Sequence, residues 1–255
     1  MVRRGVIFDL DGVLVSTDEM HYRAWKALAD EEGIPFTEQD NDRLRGVSRM
    51  QSLEVLLERA GREYTAEEKE ELATRKNRMY QRMLEELTAA DRRPGVDGLL
   101  RGLQARGARI AVASGSRNAR RILERLRLAG AFDAVVTGEE ISRAKPDPEL
   151  FLLAAERLGL SPRECVVVED AASGVEAARR AGMHVVAVGP RERFPRGVEV
   201  VGSVGELDPD RLLGLARDMA AGRDAPWEGR GGGEGAGPRR STARDAAKRE
   251  EEGRV

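Results

Sequence analysis

Two aspartates one residue apart follow a short apolar run near the start of the chain. Asp9 and Asp11 lie in the stretch G-V-I-F-D-L-D-G-V-L-V-S-T, directly after the strand-forming residues 6–8. Open α/β sheets carry their chemistry at the carboxyl ends of buried strands. Residues i and i+2 of a strand share a face, and Gly12 lets the chain bend, so both carboxylates can approach one metal ion or phosphorus atom. One carboxylate can then be a nucleophile while the other transfers protons.

The same pattern also fits loops without catalytic function. An aspartate pair followed by glycine suits a solvated Asx turn, a calcium loop or a nucleotide-sugar site. A calcium loop needs further oxygen ligands at fixed spacing and a preceding helix, whereas here an apolar strand precedes Asp9 and apolar residues follow Gly12. The other motifs of the chain decide between these alternatives.

Three further polar motifs follow strand-like runs. Ser114 begins the turn S-G-S-R-N, which can offer a hydroxyl and free backbone N–H groups to a phosphate or simply cap a helix. Pro146 favours an extended Lys145, which can aim its ammonium at an anion, although Lys-Pro turns are also common at surfaces. Glu169 and Asp170 end the run C-V-V-V and can either bind magnesium or cap the next helix.

The segment after Thr17 has only helical patterns. Apolar residues recur there at three- and four-residue spacing, which predicts helices over Asp18–Gly33, Ser48–Gly61 and Thr65–Leu87. We therefore expect residues 18–87 to form an all-helical cap domain, inserted directly after the carboxylate strand. Caps of this kind exclude water and select substrates.

Helical and strand-like patterns alternate from residue 93 onward. The predicted strands are 109–113, 134–136, 165–168 and 184–188. Helical patterns separate them, and a last helix is predicted over 208–220. This alternation predicts an α/β fold with a doubly wound parallel (Rossmann-like) sheet, formed by residues 1–17 and 88–222.

The composition is that of an ordinary globular chain. With 43 basic and 45 acidic residues the formal net charge is -2, so we expect neither nucleic acid nor a membrane as a partner. Cys165 is the single cysteine, which excludes an internal disulfide, and its apolar run favours a buried, inert thiol. No run has the length of a signal or membrane-spanning segment, and we expect a cytoplasmic protein that acts as a monomer.

The last part of the chain differs in composition from the rest. Residues 223–255 are rich in glycine and charge and have almost no apolar residues after Trp227. Such a segment cannot bury enough surface to fold alone, so we predict a disordered tail. A transient helix over residues 242–252 with a docking role is the alternative.

The order of the strand-end motifs, D-L-D, S-G-S, K-P and E-D, resembles that of the haloacid dehalogenase superfamily. Further stretches resemble the β-phosphoglucomutases within it: H-Y-R-A-W-K-A-L-A, G-V-S-R-M-Q-S-L, R-K-N, S-G-S-R-N, K-P-D-P and E-D-A-A-S-G. The resemblance covers residues 5 to about 218. It implies an isomerase that interconverts β-D-glucose 1-phosphate and D-glucose 6-phosphate. It also implies one Mg²⁺ per subunit, a small phosphosugar as partner, and β-glucose 1,6-bisphosphate as activator and intermediate.

The resemblance implies roles for residues of the sheet domain. Asp9 is expected to attack phosphorus and form an aspartyl phosphate, and Asp11 to act as acid/base catalyst on the sugar oxygen. Ser114 and Lys145 are expected to hold the transferring phosphoryl group. The implied magnesium ligands are Asp9, the Asp11 carbonyl, Glu169 and Asp170.

The resemblance extends to the cap, where it implies that Thr17 and His21 couple cap closure to Asp11. The implied substrate-binding residues are Trp25, Arg45, Gly46, Arg49, Ser52, Lys76, Ser114, Gly115, Ser116, Arg117, Asn118 and Lys145. Arg49 is expected to clamp the non-transferring phosphate together with residues 116–118, a bidentate task that suits arginine. Without the resemblance, His21 would be taken for a satisfied histidine on a helix face and Trp25 for bundle core.

Three positions depart from the family pattern. Arg45 and Arg117 stand where lysine is common, and Gly115 stands where alanine is common. Arginine keeps the charge but alters reach and geometry, so the motifs specify the reaction class more firmly than the substrate. The alternative function is a magnesium-dependent sugar-phosphate phosphatase, in which water attacks the same aspartyl phosphate.

Overall fold

The computed structural model describes residues 4–44 and 47–223. The predictions made for Arg45 and Gly46 therefore lie outside the described residues. The predicted tail, apart from Arg223, also lies outside them.

A parallel sheet forms the centre of the fold. Its strands are β1 (Gly5–Phe8), β2 (Arg109–Ala113), β3 (Ala134–Val136), β4 (Cys165–Glu169), β5 (His184–Val188) and β6 (Glu199–Val201). Their order is β3-β2-β1-β4-β5-β6, and every neighbouring pair is parallel. The chain therefore builds outward in both directions from β1. The point where strand order reverses, between β1 and β4, is where such sheets bind ligands.

Helices lie between most of the strands and after the last one. Those of the segment after Thr17 are α1 (Asp18–Glu32), α2 (Glu38–Asp42), α3 (Arg49–Leu57) and α4 (Ala66–Leu84). Those that follow are α5 (Val96–Ala105), α6 (Ala119–Arg125), α7 (Glu149–Leu158), α8 (Ala172–Arg180) and α9 (Pro209–Ala220). None of the helices in the described ranges combines the length and apolar character needed to cross a bilayer.

Both faces of the sheet are covered. Val6 and Phe8 of β1 pack in one apolar cluster with α5, α6 and α9, whereas Ile7 packs in a second cluster with α7 and α8. This alternation follows from the two-residue period of a strand. All four residues of β1 are buried, as expected for a central strand of a doubly wound sheet. The predicted fold class is confirmed.

The helices after Thr17 have an apolar cluster of their own. It includes Trp25 and Leu28 of α1, Leu53 and Leu56 of α3, and Leu72 of α4. The C-terminal half of α4 belongs to a different cluster, because its buried side chains pack with those of the sheet. Helix α4 thus contributes to the apolar cluster of the helices after Thr17 and to one of the two clusters of the sheet.

Local signals explain where most of these helices begin and end. Thr65 accepts the backbone N–H of Glu68 and forms a capping box at the start of α4. Gly33 ends α1 with a φ of 68°, a left-handed conformation that favours glycine. The prediction that α3 extends to Gly61 is wrong, because the helix ends at Leu57. Cys165 is fully buried as predicted, and burial raises the pKa of its thiol to about 12.

Candidate active site

The floor of the site is a buried ion-pair network at the ends of β1 and β4. Asp9 follows β1 directly, and its Oδ1 lies 2.5 Å from the Nζ of Lys145. The same ammonium lies 2.7 Å from Oε2 of Glu169, the last residue of β4. Burial alone would lower the pKa of Lys145, but the charges of Asp9 and Glu169 outweigh it and raise the pKa above its ordinary value. Lys145 is therefore a fixed cation beside the Asp9 carboxylate.

Three carboxylates converge at this floor. One oxygen each of Asp9, Glu169 and Asp170 lies within 4.8 Å of the others. Burial raises the pKa of Glu169 to about 7, and burial and the charge of Glu169 raise that of Asp170 to about 8. Three carboxylates surround one ammonium group here, so Lys145 does not balance the full negative charge of the ionised cluster. A divalent cation with hard oxygen ligands, such as Mg²⁺, fits this donor set.

Two glycines make room for the carboxylates. A Cβ on Gly12 would lie 2.0 Å from Oδ2 of Asp170, and a Cβ on Gly174 would lie 2.1 Å from Oε2 of Glu169. Gly12 also has a φ of 79°, in the left-handed region. Any larger residue would displace a carboxylate of the cluster. The carbonyl of Asp11 as a fourth ligand stays a prediction.

Asp11 ends a chain of hydroxyl groups that comes from α4. The hydroxyl of Tyr80 donates to Oγ1 of Thr17 at 3.0 Å, and the Thr17 hydroxyl in turn donates to Oδ1 of Asp11. Removal from water raises the pKa of Asp11 to about 7, although the hydrogen bond from Thr17 opposes this shift. A carboxyl group that titrates near neutrality can both accept and donate a proton.

Cations and aromatic rings form the opposite wall. Nζ of Lys76 lies 2.8 Å from Nδ1 of His21 and 4.7 Å from the ring centroids of Trp25 and Tyr80. The rings of His21 and Tyr80 stack with centroids 4.0 Å apart. Burial, followed by the charge of Arg49, lowers the pKa of Lys76 to about 7. Burial and the charge of Lys76 lower the pKa of His21 well below its usual value, so the imidazole is neutral. Its Nδ1 can then accept a hydrogen bond from Nζ of Lys76.

The far end of the cleft combines groups from both walls. Burial and the nearby charge of Arg117 lower the pKa of Arg49, because two guanidinium groups approach one another there. The side chain of Asn118 binds α4 through two hydrogen bonds. It accepts from Nε2 of Gln81 at 2.9 Å and donates to Oδ1 of Asn77 at 3.0 Å. This end can therefore bind an anion separate from one at Asp9.

A single cleft of about 600 Å³ joins these groups. Most residues predicted for the site line it: Asp9, Asp11, His21, Trp25, Arg49, Ser52, Lys76, Ser114, Gly115, Ser116, Arg117, Asn118, Lys145, Glu169 and Asp170. Thr17 is fully buried behind Asp11. Oγ of the buried Ser114 accepts the backbone N–H of Ser116 at 3.1 Å, which holds the turn after β2.

A family model for haloacid dehalogenase-like hydrolases matches residues 4–182, which include both walls of this cleft. The chain belongs to the haloacid dehalogenase-like hydrolase family. Its enzymatic character follows from this membership and from the acidic site.

Members of this hydrolase family with different activities are similar to the chain. A β-phosphoglucomutase of Bacillus subtilis is 46% identical over 188 residues, which cover 73% of this chain and 83% of that protein. A phosphorylated carbohydrates phosphatase of Thermotoga maritima is 33% identical over 218 residues, covering 84% of this chain and 98% of that protein. The similar proteins thus include both a mutase and a phosphatase, so similarity alone does not separate these two activities.

A solved structure has the same fold. The crystal structure of a β-phosphoglucomutase from Clostridium difficile matches with a TM-score of 0.81 and 33% identity, covering 86% of this chain and all of that one. Both the recognition of the superfamily and the resemblance to β-phosphoglucomutases are thereby confirmed.

Sequence reasoning assigned no role to three polar residues of α4 that contact residues of the site, namely Asn77, Tyr80 and Gln81. Tyr80 lies four residues after Lys76, and Gln81 lies four residues after Asn77. Residues at this spacing share a helix face, so the predicted role of Lys76 was itself a signal for Tyr80. The contacts of Gln81 and Asn77 with Asn118 join segments about 40 residues apart and have no counterpart in the local pattern.

Proposed function

We propose that the protein is a magnesium-dependent β-phosphoglucomutase. It would interconvert β-D-glucose 1-phosphate and D-glucose 6-phosphate through an aspartyl phosphate on Asp9 and β-glucose 1,6-bisphosphate. The observation that carries this proposal is the presence of two cationic positions in one cleft. Lys145 lies beside Asp9, whereas Arg49 and Arg117 form a second group of cations that lines the same cleft. A sugar with a phosphate at each end fits this arrangement, because each phosphate has its own cation.

The chemistry begins at Asp9. Its carboxylate attacks phosphorus, the bond from phosphorus to the sugar oxygen breaks, and an aspartyl phosphate forms. Lys145 holds the Asp9 carboxylate and balances the charge of the phosphoryl group beside it. Ser114 is buried at the end of the neighbouring strand β2 and is positioned to bind a phosphoryl oxygen. Asp9, Glu169 and Asp170 would hold a magnesium ion, which would supply further charge neutralisation for the phosphoryl oxygens.

Asp11 acts as the general acid and base. When the phosphorylated enzyme receives glucose 1-phosphate, the oxygen of its 6-hydroxyl group attacks phosphorus, the bond from phosphorus to Asp9 breaks, and the bisphosphate forms. Asp11 accepts the proton of that hydroxyl group. After the bisphosphate turns end for end, Asp9 attacks the other phosphate, and Asp11 returns the proton to the leaving oxygen at C1. A pKa of about 7 suits both directions, because the group is readily present in either form.

The walls of the cleft divide these tasks. We propose that residues 18–87 act as a cap over a core formed by residues 1–17 and 88–222. Trp25, His21 and Lys76 of α1 and α4 line the middle of the cleft, where the sugar ring would lie. Ser52 of α3 is buried and lines the same cleft. A sugar bound among these side chains would displace water from the space over Asp9, so the aspartyl phosphate would be protected from hydrolysis.

A sugar-phosphate phosphatase is the second candidate function. It is favoured by the 33% identity to phosphatases such as the Thermotoga maritima protein. The two functions share Asp9 and differ in what the far end of the cleft must do. A mutase needs Arg49 to hold the second phosphate, whereas hydrolysis of a monophosphate by water does not.

The deciding experiment is phosphorus NMR on the full chain. The sample contains Mg²⁺, β-glucose 1-phosphate and a trace of β-glucose 1,6-bisphosphate. We expect conversion to glucose 6-phosphate with little inorganic phosphate. Arg49→Ala should slow this conversion about a hundredfold, since a bidentate charged contact is lost. Arg62→Ala is the matched control, because Arg62 is an exposed cap arginine paired with Glu68 outside the cleft. Inorganic phosphate as the main product would refute the mutase and support the phosphatase.

A further inference from the structure

Asn118 is a core residue whose side chain is held from the cap helix α4. We propose that Gln81 and Asn77 are positioning residues that orient the Asn118 amide, so that its NH₂ group faces the phosphate at the far end of the cleft. This inference rests on the proposed function, because it concerns the phosphate that is not being transferred. The resulting role is one of binding specificity rather than of chemistry at Asp9.

The hydrogen bonds fix which way the amide points. Nε2 of Gln81 can only donate, so the atom of Asn118 that it meets at 2.9 Å must be the carbonyl oxygen. Nδ2 of Asn118 then lies toward Asn77, whose Oδ1 accepts at 3.0 Å. One N–H of the amide is used in that bond, and the NH₂ group has a second. With the Gln81 and Asn77 amides in the orientations that the structure gives them, this orientation of Asn118 satisfies both bonds.

The position of the cleft shows which end of the amide meets the substrate. Asn77 and Asn118 both line the cleft, whereas Gln81 lies one turn farther along α4 and is not among its lining residues. The NH₂ end of Asn118 is therefore on the cleft side, and its carbonyl oxygen is turned away. Arg49 and Arg117 line the same cleft, so an anion bound there meets three groups that can donate.

Reversal of the amide would change its effect on an anion. A carbonyl oxygen aimed at a phosphate repels it, whereas an N–H group donates a charge-assisted hydrogen bond. Asn118 is largely buried, so a reversed amide would lose its partners on α4 without gaining water unless Gln81 and Asn77 also changed the ends that they present. Gln81 thus determines whether Asn118 helps or hinders phosphate binding.

The end of α4 is held firmly enough for this task. Nε of Arg125 on α6 donates to the carbonyl of Leu87 at 3.1 Å, and Arg121 of the same helix pairs with Glu85. These contacts hold the C-terminal end of α4 against α6, which begins directly after Asn118. Gln81 on α4 and Asn118 at the start of α6 are therefore joined by contacts between the same two helices.

The test compares Gln81→Glu with Gln81→Leu. A glutamate accepts but does not donate when ionised, so it should turn the Asn118 amide around; leucine only removes the donor. The Kd for β-glucose 1,6-bisphosphate is measured in the Asp9→Asn background, which prevents turnover. We expect Gln81→Glu to raise this Kd about tenfold and Gln81→Leu about threefold. In active enzyme, the KM for β-glucose 1-phosphate should rise similarly with little change in kcat.

Two controls separate positioning from general damage. Gln104→Glu makes the same change on an exposed core glutamine that donates to the carbonyl of Ala131, and it should leave the Kd unchanged. Hydrolysis of acetyl phosphate, which has no second phosphate, should be unchanged in Gln81→Glu. In an Asn118→Ala background, Gln81→Glu should have no further effect on the Kd, because the group it orients is gone.

The outcomes distinguish this inference from the proposed function. An unchanged Kd in Gln81→Glu, or an equal loss of acetyl phosphate hydrolysis, would overturn the positioning role. If wild-type enzyme released inorganic phosphate as its main product, the mutase proposal would fail, while the Kd measurement would still decide how Asn118 is oriented.

Discussion

The two walls of the cleft both bury a lysine, but they treat its charge in opposite ways. On the core wall, Lys145 lies between the carboxylates of Asp9 and Glu169, and these charges raise its pKa. On the cap wall, Lys76 lies beside neutral His21 and near Arg49, and burial lowers its pKa to about 7. One lysine has its counter-charge built in, whereas the other has aromatic rings and a second cation as neighbours.

This difference teaches how the two walls divide binding and chemistry. The core wall holds a cation, Lys145, against Asp9 before any substrate arrives, so the nucleophile is held in place by the fold itself. Among the described cap residues no carboxylate is paired with Lys76, and the charge of Asp11 does not offset its burial. A phosphorylated sugar would provide the matching anion. Binding of an anion should therefore raise the pKa of Lys76 and favour its charged form.

The largest expected effect on the chemistry of the core wall comes from removal of the nucleophile. Asp9→Asn should lower kcat at least a thousandfold, because an amide cannot form the phosphoryl intermediate. The rate is measured by conversion of β-glucose 1-phosphate, and Asp30→Asn serves as control, since Asp30 is exposed and paired with Lys26. Substantial mutase activity in Asp9→Asn would contradict the covalent route.

The same substitution at the two lysines should change stability in opposite directions. Lys145→Met leaves buried carboxylates without their cation, and we expect it to destabilise the fold by about 3 kcal/mol. Lys76→Met removes a cation whose burial is unfavourable, and we expect it to stabilise by about 1 kcal/mol, or about 3 °C in Tm. Thermal unfolding is followed with a metal chelator present, so that a bound cation does not compensate. If Lys76→Met destabilised the fold as Lys145→Met does, the burial of the Lys76 charge would not be unfavourable.

The dependence on pH sharpens the same comparison. The pKa of Lys76 falls from an ordinary value of 10.5 to about 7 in the folded protein. Between these values the unfolded chain binds more protons, so the contribution of Lys76 to stability rises with pH. The Tm of Lys76→Met should therefore exceed that of wild type most below pH 7. The gap should narrow toward pH 9, whereas a constant gap would contradict the lowered pKa.

The smallest expected effect concerns the hydroxyl chain that joins the walls. Tyr80→Phe keeps the ring that stacks on His21 but removes the donor to Thr17. Thr17 can then rotate away from Asp11, and we expect kcat to fall about fivefold with little change in KM. Tyr64→Phe is the matched control, because its hydroxyl meets Glu32, outside the cleft, at 3.4 Å. Equal effects of both substitutions would show that the hydroxyl chain does not position Asp11.

Sequence patterns were sufficient to predict an element where that element has a clear apolar pattern of its own. The apolar runs that end in Asp9 and in Glu169 were predicted as strands, and both are central strands of the sheet. Elements without a strong apolar period were missed. Strand β6 has three half-buried residues at the edge of the sheet, and α2 has the polar sequence E-Q-D-N-D. A capping box between Thr37 and Asp40 stabilises α2, and such a box contributes no apolar pattern.

The sequence by itself determined which residue types stand at the strand ends, because a strand and the turn after it are local in the chain. It therefore predicted that Asp9, Ser114, Lys145 and Glu169 would share one edge of the sheet. Tertiary structure alone decided their partners and charges. Lys145 meets Asp9 across 136 residues, and Tyr80 meets Thr17 across 63. Burial and neighbouring charge set pKa values, and both arise only when distant elements pack.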